Sequence, residues 1–375
     1  MTPKVQNYFL FNLKLKGMKK QILMIWVFAG LLVFSSFVGR GSNTEVLKAF
    51  ELRMGGKVDE AKLLLEGILK KDSTNAMAHF EMARLKHYLL TGGGGIKIDD
   101  ILVSINKAAT YDPQNVTYAY YKAIVHFLNA FMAMQTGTTE VKKKIEVTCV
   151  QFKKVLAMKP DYHEAALYLV EIYGMLPKDM GGDSTKAQEY AVGLESKSKY
   201  FGSRARAVLT VKGTDMVKFW LDRVDQEKKN ADFLAEAGKA YLNNDDLVNA
   251  EKYFIEAIQS DPSKNILLLD LARYHMMVVM QNKDLANTNL PLAKAFLERY
   301  LKTVPEPIVP LKAYAMGLLT RTEMFLGNKT EADKMMEAAK SLDKYFSRAM
   351  GIPTLLLFDS PEQQMHHHFS FFSPF

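Results

Sequence analysis

Between residues 231 and 264 the apolar positions recur at intervals of three and four. Leu234, Ala237, Gly238 and Tyr241 share one face of a first helix, and Ala250, Phe254, Ala257 and Ile258 share one face of a second. The run Asn243-Asn244-Asp245-Asp246 interrupts the pattern. Its short polar side chains compete for backbone hydrogen bonds, which predicts a turn followed by an N-cap. Asp261-Pro262 predicts the end of the second helix, because the residue before proline is pushed out of helical geometry. Gly238 costs about 1 kcal/mol of helix propensity, a cost that makes sense only where another helix comes close.

Fainter copies of this helical hairpin recur. Asp112-Pro113, Lys159-Pro160 and Val304-Pro305 repeat the helix-ending signal, and Pro160 and Pro262 lie 102 residues apart, three times 34. Gly56, Ala61, Leu65 and Ile68 form a second-helix half near the start; Gly327, Ala332, Met336 and Ala339 form another near the end. Ala293, Leu297 and Pro305 fit between Pro262 and that last copy. There is no long alternating strand pattern. The reading is about eight helix pairs over residues 44–344, with the poorest matches before residue 162 and over 197–229. Since one pair cannot bury its apolar stripe alone, neighbours must stack.

The positions of Leu234, Ala237, Gly238 and Tyr241, then Ala250 and Phe254, then Pro262, resemble the W-x2-L-G-x2-Y, A-x3-F and closing proline of tetratricopeptide (TPR) repeats. That resemblance implies an all-α, right-handed superhelical solenoid of antiparallel helix pairs that binds a peptide or a partner protein and does no catalysis. Chaperone-docking members grip a terminal carboxylate with a Lys and an Asn one helical turn apart. The corresponding places here carry Val46 and Phe50, or Ala235 and Lys239, so that clamp is not expected.

The N-terminus changes the reading of charge. Met18-Lys19-Lys20 precedes 17 uncharged residues at 22–38 and then Gly39-Arg40-Gly41-Ser42, a pattern that reads as a secretory signal. Residues 1–41 are therefore taken as an over-called start plus a signal peptide, or an anchor if it is not cleaved. Export to a bacterial periplasm or cell envelope follows. The chain carries a net +8, but 1–41 holds six basic residues and no acidic one. The remainder has 43 basic and 41 acidic residues, a net +2, which gives no electrostatic case for nucleic acid. Lys142-Lys143-Lys144 reads as a solvated helix start. A single cysteine, Cys149, excludes an intramolecular disulfide and reads as a small buried hydrophobe.

Four segments break the period: 91–100, 135–140, 176–185 and 281–291. Each is read as a lengthened turn inside a helix pair, so that all emerge along one edge of the stack, where insertions in repeat proteins often mark binding. In the third, Asp179, Gly181, Gly182 and Asp183 follow Pro177. This resembles the proline-then-Gly-Gly loop of periplasmic TPR proteins associated with TRAP transporters, and suggests an accessory ligand-binding role in transport as the alternative function. The other reading of the two glycines is a tight turn.

No catalytic residue is expected. The glycines at 92–95 lack the Gly-Lys-Ser/Thr that lets a phosphate loop grip its ligand, and no His-Glu-x-x-His, Gly-x-Ser-x-Gly or paired-cysteine pattern occurs. No metal or cofactor is expected either; His366, His367 and His368 form the one histidine cluster. The candidate partner-binding residues are Tyr118, Tyr121, Glu236, Lys239 and Arg273, read as concave-face positions of first helices, with the two tyrosines alternatively core. The segment 345–375 carries Phe369, Phe371, Phe372 and Phe375 and reads as a tail that covers the last helix.

Overall fold

The computed structural model describes residues 42–91, 94–228 and 230–345. Sixteen α-helices follow one another along them: α1 (Ser42–Met54), α2 (Val58–Lys71), α3 (Ala76–Thr91), α4 (Ile98–Tyr111), α5 (Val116–Thr136), α6 (Val141–Met158), α7 (His163–Met175), α8 (Ser184–Glu195), α9 (Lys199–Val208), α10 (Met216–Gln226), α11 (Ala231–Asn243), α12 (Leu247–Ser260), α13 (Leu267–Gln281), α14 (Ala286–Leu301), α15 (Val309–Phe325) and α16 (Lys329–Leu342). Taken two by two they make eight successive pairs, seven of them packed hairpins; in the fifth, where the sequence match is poor, α9 packs chiefly on α7 and α8, and α10 on α11. The signal-like run at 22–38, the three tail histidines and the aromatic tail lie outside the described residues. No described helix is long and apolar enough to cross a membrane.

One backbone feature repeats with the hairpins. A left-handed residue stands in the turn inside seven of the eight pairs: Gly56, Gly95, Gly137, Gly181, Gly213, Asp245 and Gly327. Reversing the chain in so few residues needs positive φ, which glycine and Asp or Asn tolerate. Several second helices also end alike, on an extended residue that still donates its N–H four residues back: Asp72, Asp112, Lys159, Asp261 and Asp343. Short polar caps restart the next helix, as where Asn230 accepts from the Asp232 amide at 2.9 Å and Asp246 from that of Asn249 at 3.1 Å.

The two helices of a pair are not equivalent. The first helix α7 buries nine of its 13 residues, whereas the second helix α12 buries three of 14, namely Ala250, Phe254 and Ala257. First helices also touch one another across pairs, through Arg53 to Glu81 and Phe127 to Tyr168. They therefore line the inside of the curve, with second helices outside. Gly238 stands where α11 meets α12: a Cβ there would lie 3.2 Å from Phe254 Cγ and closer still to the ring edge. Cys149 is buried and free.

The apolar core is not one continuous strip, as a simple stack would give. It divides into clusters, and the largest joins α1–α3 to α11–α15. The reason is that the two ends of the stack meet. The Gly56 backbone abuts the Leu342 carbonyl, and a Cβ there would come within 3.0 Å of Val309 Cγ1. Tyr88 donates to the Asp343 carboxylate, and Lys344 and Tyr345 both engage Asp59. The solenoid closes on itself after eight pairs.

The lengthened turns are shorter than the sequence suggested, and one was missed. Gln135 and Thr136 complete α5, leaving a four-residue turn at 137–140. Residues 286–291 belong to α14, with Pro291 inside the helix, so the seventh turn is only 282–285. An unanticipated seven-residue turn, 209–215, separates α9 from α10.

Candidate functional site

The inner face is built from an acidic residue followed three positions later by a basic one. Glu81 and Arg84 on α3, Glu236 and Lys239 on α11, and Asp270 and Arg273 on α13 repeat this pair. Residues 81 and 236 are both the sixth of their helices, and the α11 and α13 pairs are 34 residues apart. A spacing of three puts acid and base on the same helix face. Lys239 Nζ lies 3.0 Å from Glu236 Oε1, Arg84 Nη1 3.2 Å from Glu81 Oε2, and Arg273 Nη1 3.8 Å from Asp270 Oδ1.

Other first helices knit these pairs together. Arg53 of α1 reaches Glu81 at 2.6 Å, and both Arg53 and Arg84 lie over the Phe50 ring. Farther along the chain Arg204 of α9 stands between Glu171 of α7, 3.7 Å away, and Glu236, 3.9 Å away. The Tyr200 hydroxyl donates to Glu236 at 3.0 Å. Asp232 is paired with Lys264, which is itself buried. The Arg204 contacts lie between the apolar cluster of α7–α9 and that of α10–α11.

The architecture is an all-α solenoid of stacked helical pairs, the fold that the repeat spacing implied. No family model matches the chain, and no curated protein does. Among solved structures, the chain is similar to a thermophilic TPR protein of Thermus thermophilus, with 15% identity, a TM-score of 0.39, and coverage of 64% of this chain and 100% of that one. It is also similar to a tetratricopeptide repeat protein of Parabacteroides merdae, at 15% identity, TM-score 0.34, and 84% and 98% coverage. A third is the human IFIT1 dimer with PPP-AAAA, at 16% identity, TM-score 0.38, and 88% and 87% coverage.

Burial sets the charge states along the inner face of the solenoid. It pushes the Glu171 carboxyl up to about 7, against the pull of Arg204 and with the push of Glu236. It likewise raises Asp270 to about 6, opposed by Arg273 and Lys239. Burial works to raise Glu236 too, but Lys239, Arg204 and Tyr200 outweigh it and hold this carboxyl below the ordinary range. Glu236 therefore stays anionic, and of the two carboxylates beside Arg204 Glu171 is the one that titrates near neutrality. Its folded pKa exceeds the ordinary value of 4.5. Its stabilising contribution is thus present at acid pH and is lost as pH rises from about 4.5 through about 7. Glu171→Gln should gain about 1–3 kcal/mol over the native chain at pH 7.5 and flatten this dependence. Urea titrations of both proteins across the range provide the check; an unchanged pH slope would remove Glu171 from the account.

Two expected site residues are not surface positions. Tyr118 and Tyr121 are each 8% exposed and pack with Ala83, Ile101 and Ile105. Phe80 lies against both rings, and the Tyr121 hydroxyl meets His87 Nδ1 at 2.8 Å. Large rings next to a neighbouring first helix bury more apolar area than a solvent-facing position allows. Glu236 is buried as well, while Lys239 and Arg273 keep part of their side chains in solvent, 19% and 35%. Sequence reading missed Glu81, Arg84, Glu171, Arg204 and Asp270. The acid-x-x-base repeat was the available signal for three of them.

The Gly-Gly loop has a backbone explanation. Gly181 has φ +104°, and a Cβ on Gly182 would come within 3.0 Å of the Pro177 carbonyl oxygen and closer still to that of Leu176. Asp183 caps α8, accepting from the Lys186 amide at 3.1 Å and pairing with its ammonium at 2.6 Å. Asp179 sits in the short 3-10 turn Lys178–Met180. Gly182→Ala should therefore destabilise by about 1–3 kcal/mol through forced backbone movement, while Asp179→Ala stays within about 0.5 kcal/mol. Thermal melts of the two variants distinguish a turn requirement from a ligand-binding loop. Among the described residues, no three His, Cys, Asp or Glu side chains are grouped to hold a metal ion.

Proposed function

We propose that this protein is a non-catalytic interaction scaffold of the bacterial cell envelope, exported by its N-terminal segment. Its inner face holds an extended peptide or a partner protein. The observation that carries this reading is the repeated acid–base pair on α3, α11 and α13. A row of alternating charges at the repeat spacing offers an extended chain both donors and acceptors in fixed register, and fixed charges favour specificity over raw affinity. Lys239 and Arg273 are the members with solvent-facing atoms, so they are the first contacts.

The test is photo-crosslinking in intact cells from residues near Lys239, followed by identification of the captured chain. Substituting Lys239 by Glu would set two carboxylates side by side with Glu236, so neutral replacement is the sound variant. Lys239→Gln with Arg273→Gln should lower capture about fivefold, the equivalent of about 1 kcal/mol. Unchanged capture, or RNA as the only crosslinked species, would reject a protein-binding inner face. Export is tested by cell fractionation and N-terminal sequencing, with a mature terminus near Ser42 expected if the signal is cleaved.

A further inference from the structure

The junction between the first and eighth pairs joins parts of different kinds. Here the joining parts are a turn, a helix end and the three residues that follow it: Gly56 against Leu342 and Val309, Tyr88 with Asp343, and Asp59 with Lys344 and Tyr345. The Lys344–Asp59 pair is more than half exposed on both sides. Val309, Leu342 and Tyr345, at the seam itself, are only half-buried, beside the buried cluster that joins α1–α3 to α11–α15.

The junction also has a particular place in the site. Glu81 and Arg84 lie on one side of it, on α3, and the pairs on α11 and α13 lie on the other. The helices that carry them share one apolar cluster across the junction. A closed ring admits a chain only end-on, which excludes an extended segment flanked by folded domains. Opening at the junction would admit such a segment from the side, and closing would restore the inner face that the three pairs share.

We propose that the contact of Asp59 and Tyr88 with Asp343, Lys344 and Tyr345 is a reversible latch, through which an extended partner enters the ring sideways. The entry route rests on the reading that the inner face binds a partner; the latch itself does not. Opening breaks these polar contacts and parts the apolar cluster at the seam, while the helices within each pair stay packed, which is the usual anatomy of a hinged or sheared closure.

The experiment places fluorophores at Lys57→Cys and Lys340→Cys, on either side of the junction, in a Cys149→Ser background, and reads single-molecule transfer without any partner. Two populations are expected, a short closed distance and a long open one. Asp59→Asn and Tyr88→Phe should each raise the open-to-closed ratio about twofold to fivefold, the effect of removing one polar contact. About 1 M salt, where the screening length falls to about 3 Å, should act in the same direction on the Lys344–Asp59 pair. Far-UV circular dichroism of each variant must match the parent, since the hairpins persist in both states. One short distance, unmoved by either substitution or by salt, would show a permanent seam and overturn the latch. A single long distance throughout would show that the ends do not meet and would overturn it equally. Because no partner is present, these outcomes are independent of whether the inner face binds one.

Discussion

Phe254→Ala should lower stability by about 3–5 kcal/mol, the range for emptying a fully buried aromatic site. Phe254 is fully buried at the α11–α12 contact and lies directly against Gly238. Gly238→Ala alone should also destabilise, by about 1–3 kcal/mol, because the new methyl has no room beside the ring. This holds even though alanine gains about 1 kcal/mol of helix propensity over glycine. With the ring gone the methyl has space, so the double variant should be no worse than Phe254→Ala and can exceed it. The coupling, about 1–3 kcal/mol in magnitude, is measured by a urea double-mutant cycle. Simple additivity would mean that the glycine is there for another reason. Stacked repeats can unfold in parts, so two probes in different pairs should follow each titration.

The second large effect belongs to Arg204. Arg204→Met should cost about 3–5 kcal/mol at pH 7.5, because it leaves buried carboxylates without the cation between them. Glu236 stays anionic and keeps only Lys239 and Tyr200, so most of the loss falls there; Glu171 escapes by taking up a proton, and its share is about 1 kcal/mol. Glu171 already holds its proton up to about 7 with Arg204 in place, and without that cation it would hold it to still higher pH. Neutralising Glu171 relieves the variant, so its deficit should shrink as pH falls toward about 5.5. Adding Glu171→Gln should restore that share of the lost stability at pH 7.5. Equal deficits at both pH values, or no rescue by the glutamine, would show that Glu171 has no share in the loss.

The hairpins were legible because their cause is local. The three-and-four spacing of Leu234, Gly238 and Tyr241, the cap at Asp246 and the break at Pro262 each act within a few residues. The same holds for the left-handed turn residues, which recur as glycine or Asp in seven turns. The overestimated turns share a cause as well. Polar residues such as Asn287 and Thr288 were read as loop, yet they occupy the exposed side of α14, where burial does not oppose them. Pro291 lies within the same helix at the expense of one helical hydrogen bond.

The candidate site was half legible. Lys239, Glu236 and Arg273 were placed on first helices correctly, but which polar side chains meet across pairs depends on how the helices stack. Glu171 and Arg204 are 33 residues apart in a chain of near-repeats, and nothing local distinguishes them from solvated charges. Tyr118 and Tyr121 show the same dependence: their helix is evident from spacing, whereas the face turned inward is chosen by Phe80 and His87 of the preceding pair.

By itself the sequence determined helix type, pairing and repeat, because propensity, capping and turn chemistry are short-range. Tertiary structure alone decided the division of the core, the buried charge network and the closure of the ring. Curvature is the sum of small rotations between successive pairs. Whether Gly56 meets Leu342 after eight of them depends on every interface in between, and no single stretch of residues encodes that sum.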